Sequence, residues 1–275
     1  MKTKRMSLLL SAFILVSLLL TGNIATGQQV NSTDNDLPKY DLHVHLSTRL
    51  PIQQRYADAA ALSKKKGVTF GIAEEVETPD IKSNNGAINT RLYVGRNYPV
   101  YIGMQVNMAG WTKLYSKEVI DKLDYVMCDA LFFPYEGKTI MLWTQAADVL
   151  KDPEDFMNRY VAYTLKVFEE PIDIWVNPTY LPKQFVMMYD KLWTDERMKI
   201  IIDAAVKKNI AIEINSVSEI PSKKFILMAK AAGAHFTFGS NQHGTEVGNI
   251  DWCLKIAKEC GLKRSDFFIP ARKLN

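Results

Sequence analysis

Cysteine is scarce in this chain, with three among 275 residues, and an odd trio gives no disulfide framework. Cys253 and Cys260 stand seven residues apart on one expected helix, about 10 Å along its axis and beyond the reach of a bridge. Cys128 lies in an apolar run and is expected to be buried. Neither sign of charge dominates, with 34 basic against 30 acidic residues, which is no footprint for nucleic acid or an anionic membrane. Only one apolar run stands out, Ser7 to Leu20, and its fourteen residues are too few to span a bilayer comfortably. Phosphate-binding loops are missing as well. No GxGxxG follows the first expected strand and no P-loop lysine motif occurs, which disfavours a nucleotide-binding open sheet.

What is present begins with a leader. Lys2, Lys4 and Arg5 precede the run from Ser7, and Ala25-Thr26-Gly27 precedes Gln28, the pattern of a secretory signal peptide cleaved after residue 27. No cysteine precedes Cys128, so no lipid-modified cysteine can stand at the new N-terminus. The expected product is exported, to the periplasm or outside the cell, without stable membrane insertion. Without Lys2, Lys4 and Arg5 it carries 31 basic against 30 acidic residues. Residues 28–36 read as a flexible polar leader and 37–275 as one domain, since no repeat or low-complexity linker divides them. That length is close to the ~250 residues of a (β/α) barrel.

Strand and helix patterns alternate along the domain. Strands are expected at Tyr40–Leu46, Val68–Glu75, Val100–Asn107, Tyr125–Leu131, Ile172–Asn177, Ala211–Asn215 and His235–Gly239. Asp152-Pro153 supplies an N-cap and a first-turn proline. Thr194 opens a helix whose buried stripe is Met198, Ile201, Ile202 and Ala205, closed by Lys207 and Lys208 against the dipole. Gly233 and Gly261 sit where helices end. This alternation predicts a parallel sheet, read here as a single distorted (β/α)7 TIM-like barrel with its chemistry at the C-terminal ends of the strands.

Side chains alternate in direction along a strand. In the first strand Asp41, His43 and His45 are expected to face the lumen, with Leu42 and Val44 toward the helices. Two imidazoles two residues apart on one face can grip one divalent metal; the competing reading is a buried, hydrogen-bonded pair. The same parity puts Glu75, Gln105, Asn107, Asp129, Leu131, Asn177, Glu213 and Asn215 inward, with Asn241 and His243 following the last strand. Single amides also cap turns routinely. His235 lies at the other end of its strand and reads as structural, and inward Glu213 as a structural acceptor.

Tyr40-Asp41-Leu42-His43-Val44-His45 resembles the opening motif of the PHP (polymerase and histidinol phosphatase) superfamily. Gly71 to Glu75, Asp124 to Leu131, Asp173 to Pro178, Ala211 to Asn215 and Gly239 to His243 are similar, in order, to its later strands. The resemblance implies a distorted seven-stranded barrel and a metal cluster for phosphoester hydrolysis. The ligand pattern departs from the family. Glu75, Leu131 and Asn177 stand in place of histidines, Gln105 in place of a bridging glutamate and Asn241 in place of an aspartate. Neutral amides are weak donors, so the expectation is one ion rather than a cluster.

The expected cofactor is therefore one divalent transition metal, Zn²⁺, Mn²⁺ or Fe²⁺, on His43, His45, Glu75 and His243, with Gln105, Asn177 and Asn241 as weaker contributors. Glu75 and His243 are the candidate catalytic groups. Arg49, Arg91 and Tyr180 are candidate contacts to a small-molecule substrate, which the resemblance makes a phosphoester or a related ester or sugar. The alternative is a degenerate barrel that binds a small ligand or carbohydrate without metal chemistry.

Overall fold

The computed structural model describes residues 36–75 and 85–273. The expected signal peptide and residues 28–35 of the leader lie outside the described residues. The first half runs β1 (Tyr40–Leu46), α1 (Ile52–Lys66), β2 (Thr69–Glu75), α2 (Asn85–Gly95), β3 (Tyr101–Val106), α3 (Lys117–Ile120) and β4 (Tyr125–Cys128). A hairpin, β5 (Phe132–Tyr135) and β6 (Lys138–Met141), follows, then α4 (Ala146–Val149) and α5 (Pro153–Val167). The rest is β7 (Ile174–Trp175), α6 (Tyr189–Leu192), α7 (Asp195–Lys208), β8 (Ala211–Asn215), α8 (Lys223–Ala231), β9 (Phe236–Gly239), β10 (Gln242–Gly244) and α9 (Asp251–Glu259).

Eight strands form one parallel sheet in the order β10-β1-β2-β3-β4-β7-β8-β9. This curled sheet with alternating helices is a TIM-like α/β barrel. The seventh expected strand, His235–Gly239, is β9, which pairs with β8; an eighth, β10, was not expected and pairs with β1, and between them the Asn241 N–H donates to the His43 carbonyl at 2.9 Å. Two expected strands are shorter than the sequence suggests. The fourth ends at Cys128, where Asp129 turns its carboxylate back onto the Leu131 N–H at 3.0 Å. The fifth keeps only Ile174 and Trp175, because Asn177 adopts φ +49° and breaks the ladder.

Helix punctuation follows the local chemistry. Asp152 accepts from the N–H groups of Glu154 and Asp155, and Thr194 from that of Arg197, caps worth about 1 kcal/mol each. Met198, Ile201, Ile202 and Ala205 form the buried stripe of α7. Gly233 and Gly261 take the left-handed conformation after α8 and α9. All three cysteines are free and buried. Among the described residues no helix is long and apolar enough to cross a membrane.

The lumen holds its own apolar layer of Leu42, Ala73, Tyr125, Met127, Ile174, Val176 and Ala211. Leu42 was expected among the helices, and a bulge places it inside. The register between β1 and β2 slips between Asp41 and Val44, inserting one residue and breaking strict alternation. Asp41 holds the bulge, accepting from the N–H groups of His43 at 3.2 Å and Ser240 at 2.9 Å. Tyr125 donates to the Leu42 carbonyl at 2.6 Å, and its ring fills the space that side chains at Gly71 and Gly103 would need. This plug is the floor beneath the C-terminal rim.

Candidate functional site

Above the floor, side chains from six strand ends meet in one buried polar network. His43 stands between Glu213 and Gln105, with Nδ1 2.5 Å from Glu213 Oε1 and Nε2 2.9 Å from Gln105 Oε1. Gln105 donates through Nε2 to Asp129 Oδ2 at 3.1 Å, and Asn177 donates to the same oxygen at 3.0 Å. Asn215 and Asn241 donate to Asn177 Oδ1 at 3.1 and 3.0 Å. Glu213 also accepts from the Asn177 N–H at 2.7 Å and from Asn215 at 3.0 Å. Strand direction explains most of this convergence, since Gln105, Glu213 and Asn215 sit at inward positions of β3 and β8. Asn177 and Asn241 enter through left-handed turns, at φ +49° and +51°. At Gly239 a Cβ would overlap Glu213 Oε1 and crowd His43, so the close His43–Glu213 pair requires glycine there.

The electrostatics follow from burial and partners. Burial alone would push the His43 pKa down, but the charge and hydrogen bond of Glu213, with Gln105, outweigh it and the net shift is upward. With acceptors facing both nitrogens, the metal-free arrangement suits an imidazolium paired to Glu213, whereas a neutral ring would free Nε2. His45 is the opposite case: burial, then the charges of His43 and His243, hold it well below the ordinary range. Burial raises Asp129 to about 6 against the bonds from Leu131 and Asn177, and raises Asp41 to about 6 against the bonds from Ser240 and His43.

His43, His45 and His243 lie together. His45 and His243 are direct neighbours on β1 and β10, and their rings stack at 4.3 Å and 20°. His43 meets His45 edge-on at 5.0 Å. Among the described residues His45 Nε2 is buried without a hydrogen-bond partner. Glu75 pairs through its backbone with Gln105; its side chain lies outside the described part of the structure.

The donor chemistry suits a single ion. Two imidazoles and an amide oxygen are adjacent, and Glu213 on His43 Nδ1 is the carboxylate partner that commonly orients a ligand histidine. The 2.9 Å between His43 Nε2 and Gln105 Oε1 is a spacing that a hydrogen bond and two neighbouring ligands of one ion share. Among the described residues, however, no group of three His, Cys, Asp or Glu side chains is arranged to hold a metal. The stack is a physical reason: His45 and His243 lie side by side, and His243 joins the others only by turning out of it.

Beside the network opens a cavity of ≈ 420 Å³, within the ~300–1,000 Å³ range of small-molecule sites. Gln105, Asp129, Asn177, Asn241 and His243 line it, with Leu131, Phe132, Met141, Trp143 and Tyr180 supplying apolar and aromatic wall. Of the expected substrate contacts, Tyr180 is there. Arg49 is exposed on the loop after β1 and Arg91 sits on α2; neither is among the lining residues. His235 is exposed at the entrance of β9, away from the network. Sequence reasoning missed the β5–β6 hairpin, which brings Phe132 and Met141 to the wall. Its signal was Glu136-Gly137, a two-residue turn with φ +48° and +76°, between apolar runs.

No family model and no curated protein matches the chain. Among solved structures, a candidate histidinol phosphatase of Listeria monocytogenes is similar over 75% of this chain and 96% of its own, at 14% identity and a TM-score of 0.56. That likeness concerns the fold, and at that level it agrees with the resemblance carried by Asp41 to His45. A chain of an archaeal ribonuclease P with mature tRNA is 10% identical over 80% of this chain and 90% of its own, at a TM-score of 0.41. The HpcH/HpaI aldolase of Desulfitobacterium hafniense is 10% identical over 80% and 83%, at 0.35. These two scores are too low to carry an argument.

Proposed function

We propose that the chain is an exported hydrolase using one divalent transition metal, Zn²⁺, Mn²⁺ or Fe²⁺, at the C-terminal rim of its barrel. Its substrate is a small phosphoester or a related ester or sugar derivative. His43, His45 and His243 would hold the ion, with Glu75 as the carboxylate and the amides Gln105, Asn177 and Asn241 nearby. When bound, such an ion polarises a phosphoryl or carbonyl oxygen and lowers the pKa of water.

The observation that carries this reading is His45 Nε2. Among the described residues it is buried without a partner, on a ring kept neutral by burial, and an unmet buried polar atom costs about 1–3 kcal/mol. A neutral imidazole with an unused nitrogen is what a metal needs. The chain's own groups do the rest. Glu213 fixes the ring of His43, and Gln105 ties that ring to Asp129. Asp129, held at about 6 on the cavity wall, can keep or give up a proton near neutral pH, the range that acid–base catalysis favours. His243 and Glu75 would be the other candidate catalytic groups. Export rests on the sequence from Lys2 to Gly27 alone.

A second reading has its own observation. His43 Nε2 faces Gln105 Oε1 at 2.9 Å, so a protonated His43 would leave a metal-free barrel that binds its ligand without hydrolysis. The test is turnover of p-nitrophenyl phosphate, bis-p-nitrophenyl phosphate, p-nitrophenyl acetate and p-nitrophenyl glycosides. Hydrolysis of at least one, lost on chelation and restored by Zn²⁺, Mn²⁺ or Fe²⁺, is expected. Turnover unaffected by chelation would sink the metal reading, and none with any ion would leave only the binding one.

A further inference from the structure

The cavity on the rim has the chemistry of a site for an uncharged ring. Its described lining residues include one carboxyl, Asp129, and no lysine or arginine. A phosphate group calls for cations or charge-assisted donors, and here it would meet a carboxylate. The remaining polar lining consists of the imidazole of His243 and neutral amides and hydroxyls. Gln105 and Asn177 spend their amides inside the network. Asn241 donates to Asn177 and keeps its carbonyl oxygen for the cavity. The Asn107 amide and the Tyr180 hydroxyl, both half-buried on the cavity wall, have no hydrogen-bond partner among the described residues. Neutral groups that both donate and accept match hydroxyls, which do the same.

The apolar half of the lining is of the complementary kind. Trp143 stands 47% exposed at the mouth, braced edge-on by Phe132 with centroids 5.3 Å apart at 65°. An aromatic face next to a floor of amides suits a ring with an apolar C–H face and a polar rim.

We propose that this cavity binds a neutral hexopyranose ring, stacked on Trp143 with its hydroxyls on Asn107, Asn241 and Tyr180, and that it discriminates against the same sugar carrying a phosphate. The inference rests on the cavity being the substrate site of the proposed hydrolase and narrows that substrate to a sugar-bearing molecule.

The test is calorimetric titration of the chelator-treated full chain with glucose, galactose and mannose, each paired with its 6-phosphate. At least one hexose should bind, its 6-phosphate about tenfold more weakly or not at all. Trp143→Ala should weaken that hexose about tenfold, the scale of one lost ring contact, while Tyr180→Phe, which keeps the ring and removes the hydroxyl, should weaken it less. A phosphorylated sugar binding more tightly than its parent would overturn the proposal. So would failure of all three hexoses, or hexose binding untouched by Trp143→Ala. The outcome is independent of metal and turnover. Hexose binding by a chain that neither holds metal nor hydrolyses would keep this inference and remove the hydrolase. Metal-dependent hydrolysis of p-nitrophenyl phosphate without hexose binding would do the reverse.

Discussion

Replacing Asp129 with asparagine should change how stability depends on pH, by an amount that follows from burial. Asp129 is fully enclosed, and its pKa is raised from the ordinary 3.8 to about 6. An acid whose pKa rises on folding holds its proton more tightly in the native chain. It adds stability below about pH 4 that is lost as pH climbs through about 6. At 1.36 kcal/mol per pH unit, the gap amounts to about 3 kcal/mol. Asparagine does not titrate, so Asp129→Asn carries no such loss. Asp41, also raised to about 6, and His45, lowered, titrate in both proteins and largely cancel in the comparison. Urea unfolding at pH 4 and pH 8, with chelator present, measures it. The stability of the variant minus that of the wild type should rise by about 2.5 kcal/mol from the lower pH to the higher, the rest of the gap lying below pH 4. A difference that does not move with pH would refute the reasoning. A difference that falls would mean that the amide donors on Asp129 outweigh its burial.

Other perturbations reach the same network. In the metal-free chain, Glu213→Ala removes the acceptor of His43 Nδ1, the Asn177 N–H and Asn215 and strands a buried cation. The expected loss is about 3–5 kcal/mol in a thermal or urea melt, with Glu213→Gln milder; a wild-type melt for the alanine variant would argue against the ion pair. Gly239→Ala pushes a methyl into Glu213 and His43 and should destabilise by about 1–3 kcal/mol, whereas an unchanged melting temperature would show that the pair can move apart freely.

The legible parts of the fold were those decided by local pattern. Ala211–Asn215 is a strand with the expected bounds, and the stripe of α7 and the caps at Asp152 and Thr194 are as their spacing predicts. The site was legible where alternation holds, as at Gln105 and Glu213. It was not legible where the backbone departs from alternation. The bulge after Asp41 depends on Ser240, distant in sequence, and carries Leu42 into the lumen. Asn177 reaches the network through a left-handed turn although its strand places Ile174 and Val176 inward. The role of Asp129 as the hub between Gln105 and Asn177 requires two amides from other strands, which no local pattern displays. Arg49 and Arg91 were chosen for charge alone, and charge does not say where a side chain points.

The central claim is that the three histidines and Glu75 hold one ion. The most direct measurement is elemental mass spectrometry of the purified chain, compared with His43→Ala/His45→Ala. The account predicts about one equivalent of Zn, Mn or Fe in the wild type, lost in the double variant. No metal after purification with added Zn²⁺ and Mn²⁺ would contradict it, and two or three equivalents would contradict the single-ion site.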